Sequence, residues 1–89
     1  MSERINGVLH LQLFTNDTVS FIFAPLRNHG AWSRALVAKN CQTAQEDLVR
    51  TWGFAPSKAI ATIDELRRSG HAHQDADVNA ELAARLFPS

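Results

Sequence analysis

Two early segments alternate apolar and polar positions with a period of two. "GVLHLQLF" (7–14) sets Leu9, Leu11 and Leu13 on one side and His10, Gln12 and Phe14 on the other, while "TVSFIFA" (18–24) sets Val19, Phe21 and Phe23 against Ser20 and Ile22. That is the pattern of strands buried on one face. The intervening "TND" supplies turn residues, so the pair predicts a β-hairpin. A loop of Asn16 and Asp17 would set Leu13 beside Ser20. A loop of Asn16, Asp17 and Thr18 pairs Leu11 with Phe23 and Leu13 with Phe21, and is preferred. Pro25 ends the second strand, and "PLRNHG" follows as a loop. "AWSRALVAKN" (31–40) is short and uncapped for a helix. It is read as a third strand, which a marginal two-stranded ribbon needs.

Beyond residue 40 the apolar spacing changes to three and four. "TAQEDLVRTWG" opens on Thr43 and Glu46, a capping box, carries Leu48, Val49 and Trp52 as its stripe, and closes at Gly53. Pro56 suits a first helical turn; Ala59, Ile60, Ile63 and Leu66 recur at helical spacing up to Arg67, Arg68 and the stop at Gly70. In "HAHQDADVNAELAARLFPS", Asp75 or Asp77 is a candidate N-cap for a third helix striped by Val78, Leu82 and Leu86 and ended by Pro88. The expected architecture is one α+β domain over 1–89: a small antiparallel sheet, hairpin plus third strand, followed by three short helices packed on one face.

In "DLVRTWGFAPSKAIATIDELRRSG" the sequence resembles the helix-turn-helix of winged-helix regulators, with Leu48 in the first helix, Gly53 at the turn and Ala59, Ile63 and Leu66 inward. The resemblance covers about a quarter of the chain. It implies that Ser57, Lys58, Ala61, Thr62 and Glu65 face a major groove, with Arg67 and Arg68 near phosphates. The preceding segment reads as strands rather than a supporting helix, the following one reads as a helix rather than a wing, and Asp64 and Glu65 would meet phosphates unfavourably. The Gly-Phe turn also resembles small three-helix modules of the ubiquitin-associated kind, which implies a protein partner without assigning residues.

Composition narrows the functional classes. Nine Lys/Arg balance nine Asp/Glu, so no long-range field draws the chain to nucleic acid or anionic membrane. The lone Cys41 has no disulfide partner within the chain, and no apolar run approaches the ~20 residues of a membrane span. With no leader-like start in "MSERING", the expected location is cytoplasmic. Cys41 has no established catalytic partner, and phosphate-loop and nucleophile-elbow motifs are absent, so no enzymatic activity and no cofactor are expected. His71, His73, Asp75 and Asp77 alternate, which would place all four on one face of an extended chain. His71 and His73 are weak metal candidates, because one short segment rarely supplies a tetrahedral ligand set.

The favoured function is a small non-enzymatic protein-interaction or regulatory module, an inhibitor or adaptor. It would use the sheet side opposite the helices, where His10, Gln12, Phe14 and Ile22 stand, together with Trp32, and could self-associate through the sheet. The alternative is DNA binding through residues 57–68, by Ser57, Lys58, Thr62, Arg67 and Arg68.

Overall fold

The computed structural model describes residues 3–26, 34–38 and 40–86, with the side chains of 34–37 and 86 left aside. Its elements run β1 (Arg4–Leu13), β2 (Val19–Pro25), β3 (Arg34–Ala38), α1 (Cys41–Arg50), α2 (Pro56–Ser69), β4 (His71–Asn79) and α3 (Ala80–Leu86). The strands form one antiparallel sheet in the order β3-β2-β1-β4, making this an α+β fold.

The hairpin forms on the predicted faces but in a different register. Leu13 pairs with Val19, Leu11 with Phe21 and Leu9 with Phe23, which leaves residues 14–18 as the loop. A shift of two residues keeps every side chain on its side of the sheet, so alternation could not distinguish the two registers. The loop decides it. Phe14 N–H donates to the Thr18 carbonyl at 2.8 Å, Asp17 N–H returns to the Phe14 carbonyl at 3.1 Å, and Asp17 takes φ 60, a left-handed conformation that aspartate tolerates. β3 falls within the segment expected to be a strand; Trp32 lies outside the described residues.

The larger correction concerns residues 71–79. Expected as a polar connection running into a helix, they form a nine-residue strand along β1, with His73 opposite His10 and Ala72 opposite Leu11. Period two was present: Ala72, Ala76 and Val78 are buried while His71, His73, Asp75 and Asp77 are exposed. Neither Asp75 nor Asp77 caps a helix. Asn79 does so, its side-chain oxygen accepting from Leu82 N–H at 2.8 Å, and α3 is only seven residues long.

Helix α1 also starts earlier than its expected capping box. Asn40 is the N-cap, its side chain accepting from Thr43 N–H at 2.8 Å. At the other end, Gly53 takes φ 72 and Phe54 N–H reaches back to the Leu48 carbonyl at 2.9 Å, the six-residue return that a left-handed residue permits. Pro56 opens α2, and Gly70 (φ 80) caps it through a bond to the Leu66 carbonyl.

All three helices feed one core. Ala44, Leu48, Ala59, Ile63, Leu66 and Ala83 join Leu9, Leu11, Val19, Phe21, Phe23, Ala72 and Val78 in a single buried cluster. Trp52 is buried at its centre, stacked on Phe21 with ring centroids 6.3 Å apart and tilted over Phe23 at 5.4 Å. Phe54 is buried too, so neither aromatic is available as a surface anchor.

Candidate functional site

Since the leucine face of β1 lies in the core with the helices, the other face carries what remains exposed. Gln12, His71, His73, Asp75 and Asp77 are exposed there, His10 and Val8 are half-buried, and Ile22 keeps 39% of its surface. Ser20, on the same face, is buried. Sheet register gathers these side chains in rows: Ile22, His10 and His73 lie side by side across three strands, and Ser20, Gln12 and His71 form the next row. Of the residues selected from sequence, His10, Gln12 and Ile22 are thus brought together. Phe14, 46% exposed, stands apart at the hairpin loop just beyond β1.

The histidines are the chemically distinctive part. His10 and His73 face each other through their Nδ1 atoms, with rings edge-to-face and centroids 4.5 Å apart; His71 stands next to His73 at 5.6 Å. A bond between two ring nitrogens requires one to donate and the other to accept, so one ring carries a proton on Nδ1 and the other does not. Strand geometry makes this contact, since residues directly opposed on antiparallel strands have Cβ atoms about 5 Å apart. Sequence reasoning treated His10 and His73 separately because 63 residues divide them. Among the described residues, no group of three or more His, Cys, Asp or Glu side chains is arranged to hold a metal ion.

The helical corner offers a different surface. Ser57, Lys58, Arg67 and Arg68 are exposed on α2, as the helix-turn-helix reading requires. Thr62 is not: it is buried and its hydroxyl donates to the Lys58 carbonyl at 2.8 Å, because position 62 falls beside Ile63 and Leu66 on the stripe that α2 turns inward. Lys58 sits 4.6 Å over the Phe54 ring and donates to the Asp75 carbonyl at 3.4 Å, and Arg67 lies 4.0 Å from Asp64. Lys58 and Arg67 thus each have a neighbour within the fold. A cleft of about 420 Å³ lies along Val49, Arg50 and Pro56, and another of about 380 Å³ between Lys58, Arg4 and the Asp75–Asp77 end of β4.

Cys41 is buried at the start of α1, and its thiol donates to Asp17 Oδ1 at 3.2 Å. Burial first, then the hydrogen bond and negative charge of Asp17, push its pKa above the ordinary thiol value. This is the opposite of the activation a nucleophilic cysteine needs. No helix among the described residues is long and apolar enough to cross a membrane.

Comparison with protein families, with curated proteins and with solved structures finds no match for this chain.

Proposed function

We propose that the chain is a small non-enzymatic protein-interaction or regulatory module, an inhibitor or adaptor that lays the outer face of its sheet on a protein partner. The observation that carries this reading is the one-sided architecture. All three helices join the core cluster with one face, while the opposite face gathers His10, Gln12, Ile22, His71 and His73 into a mixed apolar and hydrogen-bonding surface. Imidazole and amide groups beside an exposed isoleucine give both directional bonds and apolar area, the ingredients of a protein interface. Buried and hydrogen-bonded to Asp17, the Cys41 thiol is placed for packing rather than for nucleophilic attack.

DNA binding through α2 is the second reading. It is favoured by the glycine turn between α1 and α2 and by the exposure of Ser57, Lys58, Arg67 and Arg68. Its weaknesses are the balanced net charge, the inward Thr62 and the engagement of Lys58 with Phe54 and Asp75.

Paired variants separate the two. Ile22→Asp with Gln12→Glu should abolish co-purification of a partner from source cells, and Lys58→Ala with Arg68→Ala should leave it intact. The reverse sensitivity, together with duplex DNA binding that weakens steeply with salt, would establish the DNA reading in its place.

A further inference from the structure

Strand β4 lies at the end of the sheet order, so among the described residues one of its edges has no strand beside it. The phase of the ladder tells which backbone groups face that edge. Leu13 N–H donates to the Gly70 carbonyl at 2.8 Å and Ala80 N–H to the Glu3 carbonyl, which puts Gly70 and Ala80 in the hydrogen-bonded phase with β1. With alternation along the strand, Ala72, Gln74, Ala76 and Val78 bond to β1, and the N–H and C=O groups of His71, His73, Asp75 and Asp77 point to the open edge. Lys58 reaching the Asp75 carbonyl from outside the ladder agrees with that phase.

The residues on this edge read as their own complement. From 71 to 77 the order is His-Ala-His-Gln-Asp-Ala-Asp. Laid antiparallel on a second copy about Gln74, it sets His71 against Asp77, Ala72 against Ala76 and His73 against Asp75. The opposed residues whose backbone groups face the edge are then the ones that exchange two hydrogen bonds each. A slip of two residues sets His73 against His73, or Asp75 against Asp75, across the axis, and loses part of the pairing. A slip of one residue puts edge-facing groups opposite groups already bonded to β1. Hydrogen-bonding complementarity, imidazole facing carboxylate, and backbone phase select the same register.

We propose that two copies of this chain associate through β4 about a two-fold axis at Gln74, joining two four-stranded sheets into one continuous sheet. This interface goes beyond the partner surface proposed above: its backbone bonds run along the edge of the sheet, while His71 and His73, which also stand on the outer face, meet Asp77 and Asp75 of the second copy. Lys58 gives up the Asp75 carbonyl and the Ser69 hydroxyl gives up the His71 carbonyl on association, so Lys58→Ala and Ser69→Ala should preserve the dimer.

Sedimentation velocity of the full chain up to about 100 µM should show a monomer–dimer equilibrium. Asp75→Lys with Asp77→Lys removes the carboxylate acceptors opposite the histidines and should weaken the dimer by about tenfold or more, the equivalent of about 1.4 kcal/mol. The reversed pattern, His71→Asp, His73→Asp, Asp75→His and Asp77→His, preserves complementarity and should restore it. Independently, Gln74→Cys should oxidise to a covalent dimer, because its thiols meet at the axis. A wild-type monomer throughout that range would overturn the proposal. So would a dimer indifferent to the lysine pair and uncrosslinked through Gln74→Cys.

Discussion

Gly7 shows how closely the inner face of the sheet is built. A Cβ at this position would run into the Phe23 ring and the Ala24 carbonyl oxygen, so the phenyl group occupies the space that a side chain on β1 would take. Gly7→Ala should therefore destabilise the fold by about 1–3 kcal/mol by urea unfolding, despite alanine's better intrinsic propensity for a strand. Trp52→Ala removes the ring that bridges α1 and the hairpin phenylalanines and should cost about 3–5 kcal/mol in the same assay. Cys41 contributes a pH dependence of definite sign. Its folded-state pKa is raised, so its contribution is full below the unfolded thiol value of about 8.5 and is lost as pH rises through the folded value. Stability should decline across that window, and Cys41→Ala should remove that part of the decline.

Among the elements, the first hairpin and the two central helices were legible because several signals agreed: alternation with turn residues in one case, apolar spacing with glycine and proline stops in the other. β4 was not legible. Its inward residues are mostly alanines, which carry little strand signal, and its aspartates double as helix-start residues. Partnership with β1 decided the matter, and that partnership spans some sixty residues of sequence. The outer surface was half legible for the same reason: His10, Gln12 and Ile22 came from local alternation, whereas the opposition of His10 to His73 needed β4 in place. Caps misled in a smaller way, since Asn40 and Asn79 do what Thr43 and the aspartates were expected to do. Asn40→Ala should cost about 1 kcal/mol, and Thr43→Ala, which leaves that cap intact, should cost clearly less in urea unfolding. Asn79→Ala should speed amide exchange in α3, with little change in α1.

At the scale of the whole molecule, the defining feature is asymmetry between the two sides of one sheet. One side and three helices make the core; the other displays a row of histidines flanked by Ile22 and Val8. Net charge is balanced, so the proposed partner contact would rest on local shape and hydrogen bonding rather than on steering by a field. The outer face and the β4 edge can act together, because pairing through the edge would leave both outer faces open and double their extent. The most direct measurement is in-cell photo-cross-linking with a photoreactive amino acid replacing Ile22 on the outer face or, as a control, Ala61 on the exposed side of α2. A discrete protein adduct from position 22 and none from position 61 is the predicted result. Protein adducts absent at 22, with nucleic-acid adducts from 61, would contradict the account and assign function to the helical corner.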